Sequence, residues 1–372
     1  RFLTAGESHG RCLTAVVDGM PAGLKVDPEA INRDLLRRQG GYGRGDRMRI
    51  ERDRVDILGG VLYGETTGAP VALQIQNRDW ANWRERWQSG DLPKLTVPRP
   101  GHADYTGMLK YGLDDARVVA ERASARETAA RVAAGALARL LLTDFGIAVG
   151  SYVIAIGGVR ADTAELRHQA LWALAEASDL RCPDESAAEQ IRLRIDEARE
   201  AGDSLGGVFV VSATGVPVGL GTHVQWDRRL DARLIRAVVS IPAIKGAEIG
   251  PAFENAALTG TQVHDELHPD GQGGVERRSN RAGGFEGGMT NGMPVVVRAA
   301  MKPIPTTVSP LRSVDLESGK RALTQYQRSD VCAVPAASIV GEAMVAWTLA
   351  DALIEKLGGD SVGEMRQRYI TI

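Results

Sequence analysis

The chain has 372 residues, enough for two or three ordinary domains of roughly 150 residues each. A hydrophobic fraction of 44% and a charged fraction of 25% suit a globular protein that buries its core without disulfide or metal staples. Lys+Arg 45 against Asp+Glu 47 leaves a net charge of -2, which argues against a surface built throughout for nucleic acid, and 5% aromatics leave little to stack on bases. Cys12, Cys182 and Cys332 are odd in number and far apart, so neither a disulfide framework nor a zinc site is expected, and a reducing, cytoplasmic setting follows. No unbroken run of 18 apolar residues occurs, which excludes a conventional membrane span at this level of reading. The start at Arg1 has no signal-peptide layout and is expected to lack a natural residue or two.

In chain order, Cys12 to Asp18 predicts a strand, a Gly19–Gly23 turn and a short return strand from Leu24 to Val26. Asp27 caps a helix with Pro28 in its first turn, and Gly40 ends it. Strands are expected over 48–62 and 71–76. Ser124-Ala125-Arg126-Glu127 has the form of a capping box, opening a helix that reaches about Phe145. Further helices are expected near 163–178, 185–201, 229–240 and 336–357, with strands near 147–159, 207–213 and 295–301. The segment 77–105 carries three tryptophans and three prolines without clear period, and is expected to be a long loop over a site or an interface.

The chain echoes itself. Gly6-Glu7-Ser8-His9-Gly10 and Gly19-Met20-Pro21-Ala22-Gly23-Leu24 match Gly202-Asp203-Ser204-Leu205-Gly206 and Gly215-Val216-Pro217-Val218-Gly219-Leu220 at one constant offset. Arg122, Ser124, Ala130 and Gly135 are echoed more weakly by Arg328, Asp330, Ala336 and Gly341. An internal duplication is expected, making one domain of two similar halves that meet near residue 200. His9 has no counterpart, since Leu205 stands there, and this gives it weight as a chemical residue.

Arginines concentrate between 33 and 54. Arg38, Arg44 and Arg47 surround the glycine turn 40–45 and suggest an anion site, because guanidinium forks and bare backbone N–H groups suit carboxylate and phosphate. Arg49, Arg52 and Arg54 alternate with Glu51 and Asp53 and read as a solvated strand face. The run GGYGRG has neither the spacing nor the preceding strand of a dinucleotide fingerprint. His9 and His102 both lie in turns and suit proton transfer or phosphate contact, or serve only as polar turn residues; His168 reads as a surface helix residue. Ser124 and Asp330 are explained by N-capping alone, although a capped helix start flanked by arginine also attracts anions. The glycine-rich run 279–292, followed by a strand and Lys302-Pro303-Ile304-Pro305-Thr306, has the look of a cofactor or phosphate loop, though such runs also serve tight turns.

Seven motifs then occur in order between residues 6 and 337: GESHG, RRQGGYGRGDRMRIERD, RPGHAD, RASARETAARVAAGA, SNRAGGFEGGMTNG, MKPIPT and RSDVCAVPAA. Together they resemble the chorismate synthase family over nearly the whole chain. The resemblance implies an α+β fold with helices sandwiched between antiparallel sheets, assembled as a homotetramer. It implies a 1,4-anti elimination of phosphate from 5-enolpyruvylshikimate 3-phosphate, giving chorismate, with reduced FMN and no net redox change. By match to these motifs, Arg38, Arg44, Arg47, Arg99, Arg126 and Arg328 would bind substrate. His9 would stand beside the leaving phosphate and His102 beside the flavin, while Asp330, with Ser8 and Ser124, would relay a proton. Met48, Arg122, Ala123, Ser124, Pro242, Ala243, Gly287, Lys302, Pro303, Ile304, Pro305, Thr306 and Arg328 would contact FMN. Ala123 and Pro242 depart from the family pattern, which more often has Ser and Gln or Asn. A flavin-free phosphate-binding lyase or transferase, and a basic RNA-binding module over 33–54, are the competing readings. No nicotinamide fingerprint is present, so a separate source of reduced flavin is expected.

Overall fold

Two antiparallel sheets enclose a layer of helices in the computed structural model, which describes residues 1–45, 50–163 and 166–371. The first sheet contains β1 (Phe2–Ala5), β2 (Cys12–Val17), β3 (Val55–Gly59) and β4 (Val71–Gln76), in the order β1-β2-β4-β3. Alternation decides which face is buried: Leu13, Ala15 and Val17 of β2 lie opposite Ile75, Leu73 and Val71 of β4, and all six are buried. The second sheet contains β5 (Ala148–Ile156), β6 (Val159–Arg160), β7 (Gly207–Thr214), β8 (Ile244–Ile249) and β9 (Val295–Met301), in the order β8-β9-β7-β5-β6. The α+β sandwich expected from the family resemblance is the fold observed.

The helices between the sheets include α1 (Pro28–Gln39), α5 (Thr128–Asp144), α8 (Leu230–Val239) and α9 (Val334–Leu357). Asp27 caps α1 by accepting from the Glu29 N–H, and Gly40 closes it. Helix α5 packs on the first sheet and α9 on the second, and the two pack on each other. Their closest approach is at Gly135, where a Cβ would stand 2.5 Å from Ala343 Cα. By length and mean hydropathy α9 could cross a membrane, contrary to expectation, but 83% of its apolar stretch is buried within the fold. Of its four charged residues only Glu342 is buried. Glu342 has no exposed surface and is ringed by Arg37 (2.8 Å), Arg139 (2.5 Å), Arg181 (3.1 Å) and the Ser151 hydroxyl (2.6 Å).

Several local expectations need correction. The strand expected over 48–62 begins at Val55 and breaks at Gly60, whose φ of +82° interrupts the pleat. Glu51 and Asp53, expected on a solvated face, are buried; Arg52 and Arg54 do face solvent, and Arg49 lies outside the described residues. Leu24 to Val26 forms only an isolated bridge, from Lys25 to Glu65. The capping box does not form. Ser124 Oγ accepts from Arg126 N–H at 3.3 Å, Glu127 pairs instead with Arg131, and a 3-10 turn over Ala125–Glu127 precedes α5. Finally, 77–105 is not a long loop: it holds helix α2 (Trp80–Ser89) and reaches the start of α3 (Asp104–Tyr111).

The two GxPxGL turns carry matching hydrogen bonds. Gly23 and Gly219 N–H donate to the carbonyls of Thr66 and Thr290 at 2.8 Å in each case. Leu24 and Leu220 N–H donate to the hydroxyls of the same two threonines at 2.9 Å. Those hydroxyls in turn donate to Pro21 O (2.6 Å) and Pro217 O (2.7 Å). The two turns are thus built alike.

Candidate active site

A cavity of about 810 Å³ is lined mainly by loops and helix ends from both the first and the second half of the chain. This volume is in the range that holds ligands of about 300–1,000 Å³ pockets. The 6–10 loop brings Ser8 and His9 to its wall. Asn77 ties that loop down by donating to Gly10 O (2.8 Å) and Glu7 O (3.1 Å). From the opposite side, α4 (Ala116–Ala123) ends at Ser124, where extended backbone turns the chain toward α5. Ser124 Oγ donates to Ser8 Oγ at 3.1 Å, so two segments more than a hundred residues apart meet hydroxyl to hydroxyl.

His9 is held by Glu121 on α4. Its Nδ1 is 2.8 Å from one carboxylate oxygen, and its backbone N–H donates to the other at 2.8 Å. The ring lies 4.2 Å, centroid to centroid, from Trp83 of α2. Burial would push the Glu121 carboxyl up, but the hydrogen bonds and charge of His9 outweigh it and hold the group below the usual carboxylate range. His102 makes a second such pair, with Nδ1 at 2.5 Å from Asp104. Arg99 also grips Asp104, through Nε (2.8 Å) and Nη2 (3.0 Å), and reaches Gln327 at 2.9 Å. Burial raises the Asp104 carboxyl, and these partners more than reverse the effect.

The floor is cationic and deeply buried. Arg38 donates through Nε to Thr128 Oγ1 and through Nη2 to Ala125 O, each at 2.9 Å. Arg126 donates through Nε to Asn77 (2.8 Å) and through Nη1 to Asp53 (2.7 Å). Each is 4% exposed, and each keeps one buried nitrogen, Arg38 Nη1 and Arg126 Nη2, without a hydrogen bond among the described residues. Burial lowers Arg38 to about 10, with Asp53 opposing and the charges of Arg126 and Arg44 adding to the effect. Unsatisfied buried donors of this kind are costly unless a ligand meets them. Asp330 closes the far wall, accepting from Gly45 N–H at 2.7 Å and pairing with Arg44 at 3.2 Å. Arg328, half-exposed, reaches Asp79 at 2.9 Å.

The lining also has an apolar part. Pro242, Ala243, Ile244, Met301, Ile304 and Pro305 contribute to it, with Lys302 and Thr306 at its edge. Ala243 has a φ of +68°, unusual for a residue with a Cβ, and its carbonyl accepts from Lys302 N–H at 3.0 Å. The Lys302 ammonium reaches back to Gly101 O, joining this segment to the His102 turn.

Most of the residues picked from sequence therefore meet in one place: Ser8, His9, Arg38, Arg44, Arg99, His102, Ala123, Ser124, Arg126 and Asp330 line the cavity, as do Pro242, Ala243, Lys302, Ile304, Pro305, Thr306 and Arg328. Pro303 lies within the same run. Two do not join them. Arg122 is exposed and donates to Thr4, and Gly287 lies beside His223 in the glycine-rich segment. Arg47 and Met48 fall outside the described residues. Sequence reasoning missed Glu121, Asp104, Asp53, Gln327 and Trp83. For Trp83 a signal existed, since Trp80, Trp83 and Trp87 recur at helical spacing.

Comparison with known proteins places the chain in a family. The family model described as chorismate synthase matches residues 1–354. The chain belongs to the chorismate synthase family. It is 58% identical to the chorismate synthase of Desulforamulus reducens, covering 99% of this chain and 97% of that one. It is 53% identical to the chorismate synthase of Aquifex aeolicus, covering 99% and 96%. A solved structure described as a crystal structure of chorismate synthase matches with a TM-score of 0.81 and 45% identity, covering 100% of this chain and 96% of the other. Chorismate synthases are carbon–oxygen lyases, and the chain is an enzyme of that class. In this member of the family, the two positions that depart from the motif pattern, Ala123 and Pro242, both lie on the cavity wall.

Proposed function

We propose that the enzyme catalyses the 1,4-anti elimination of phosphate from 5-enolpyruvylshikimate 3-phosphate to give chorismate, in the pathway to aromatic amino acids. The observation that carries this reading is one cavity lined by Arg38, Arg44, Arg99, Arg126 and Arg328 together with His9 and His102. A substrate with two carboxylates and a phosphate suits that set of cations. His9 stands against the leaving phosphate, where an imidazolium N–H offsets the charge that develops as the C–O bond breaks.

The apolar part of the lining fits a flat, largely apolar ring system with a phosphate tail, and so fits FMN. Ala123, Ser124, Ala243 and the 302–306 run would hold it, with Lys302 offering a cation. When bound, reduced FMN would supply the electron density that loss of phosphate needs, with no net redox change. Asp330 would take up at its carboxylate the one proton lost overall, with the Ser8 and Ser124 hydroxyls as relays. His102, oriented by Asp104, would donate a hydrogen bond to the flavin. Trp83 and the rest of 77–105 cover the cavity and exclude water, which strengthens each charge interaction. The same reading carries a cytoplasmic location, a homotetrameric assembly and an external supply of reduced flavin.

The test is anaerobic turnover with chemically reduced FMN, following phosphate and chorismate release. Release of both only when reduced flavin is present is the expected result. Phosphate release without flavin favours a flavin-free lyase, and no release with it overturns the proposal.

A further inference from the structure

We propose that Glu121 is the positioning residue for His9, fixing which ring nitrogen carries the proton and turning Nε2 toward the cavity. The inference rests on the role proposed above for His9, and it follows from counting donors. Glu121 offers two carboxylate oxygens, and His9 meets both, with its backbone N–H on Oε2 and Nδ1 on Oε1, each at 2.8 Å. The backbone N–H is an obligate donor. An ionised carboxylate accepts only, so Nδ1 must also carry a proton. Burial opposes ionisation of Glu121, and its bonds from His9 favour it by more.

Two further contacts make the clamp rigid. The Glu121 carbonyl accepts from Ser8 N–H at 3.1 Å, so one residue holds the 8–9 segment at three points. Trp83 lies against the ring on another side, restricting its rotation. With Nδ1 committed to Glu121, Nε2 is the nitrogen that can meet an anion, and the protonated ring then donates at both ends without rearranging.

Glu121→Gln inverts the arrangement without changing its shape. The amide oxygen must serve the His9 backbone N–H, which leaves the NH2 group facing Nδ1. Nδ1 must then accept, so the proton moves to Nε2 and the doubly protonated ring is disfavoured. The experiment reads the His9 ring nitrogens by 15N NMR in ligand-free protein, on the neutral ring, alongside turnover. Wild type should show protonated Nδ1, and E121Q protonated Nε2. In E121Q, kcat should fall roughly 10- to 100-fold with KM nearly unchanged, part of the ~10²–10⁴ a positioned acid contributes. In a His9→Ala background, E121Q should cost nothing further. A wild-type ring protonated at Nε2, an unchanged tautomer in E121Q, or losses that add in the double variant would each overturn the proposal. If wild type itself releases no phosphate, the proposed function falls, while the tautomer measurement still decides the role of Glu121.

Discussion

Arg38 and Arg126 share a single carboxylate: Asp53 lies 2.7 Å from Arg126 Nη1 and 3.7 Å from Arg38 Nη1. Glu51 adds a second, looser pair to Arg126 at 3.7 Å, yet Arg38 Nη1 and Arg126 Nη2 make no hydrogen bond among the described residues, so these cations can still take an anion. Inorganic phosphate should therefore raise the melting temperature, by about 2.7 kcal/mol of added stability at a hundred times its dissociation constant. Arg126→Lys keeps a charge but loses the fork that serves Asn77 and Asp53, and the phosphate effect should shrink or vanish. A phosphate-induced shift of wild-type size in both Arg126→Lys and Arg38→Lys would remove the pair from anion binding.

Glu342 predicts the acid limb of stability. Burial raises its carboxyl, but the charges of Arg139, Arg37 and Arg181 outweigh that and hold it at about 2, against 4.5 in an open chain. Between those values the unfolded chain binds more protons than the folded one, so stability falls as pH drops through that window. Glu342→Gln should remove this contribution to the acid limb. It should also cost about 3–5 kcal/mol at neutral pH, because three guanidinium groups lose their shared partner. Urea unfolding across pH is the measurement, and identical pH dependence in the two proteins would contradict it.

Gly135 is a packing requirement of helix α5, since it has no unusual φ to satisfy. A Cβ there would meet Ala343 Cα at 2.5 Å and Ala343 O at 2.6 Å, both backbone atoms of α9. Gly135→Ala gains about 1 kcal/mol of helix propensity and loses more by forcing the helices apart, for a net destabilisation of about 1–3 kcal/mol. A thermal melt at or above wild type would show that α5 and α9 can separate freely.

Trp83 separates covering from folding. Helix α2 buries none of its residues, yet Trp83 lies against His9 and beneath the Arg117 guanidinium, 6.0 Å from its ring centre. Trp83→Ala should raise KM several-fold and reduce kcat, with less than about 1 kcal/mol lost in stability because no core is opened. Unchanged kinetics would mean that the helix does not cover the site.

What the sequence makes legible here is local chemistry. Helix α1 was readable because Asp27, Pro28 and Gly40 mark its ends, and β2 and β4 because their alternation is regular. The arginines and the two histidines stood out by residue type and by family motif. The carboxylates that organise them did not: Asp53, Asp104 and Glu121 look like ordinary polar positions, and the partners of Asp53 and Glu121 arrive from distant segments. Charge alternation at 49–54 suggested a wet strand, whereas Glu51 and Asp53 turn inward to pair with Arg126, at 3.7 and 2.7 Å. Helix α2 was hidden because it has no core face, although its tryptophans kept the period.

The cavity draws its walls from the beginning, middle and end of the chain, and neither half encloses it alone. Its shape therefore depends on how those segments dock against one another. A substitution far from any bound ligand, at Gly135 or Glu342, shifts how those segments meet and so shifts the cleft itself. At those two positions, a stability measurement also reports on the shape of the cleft.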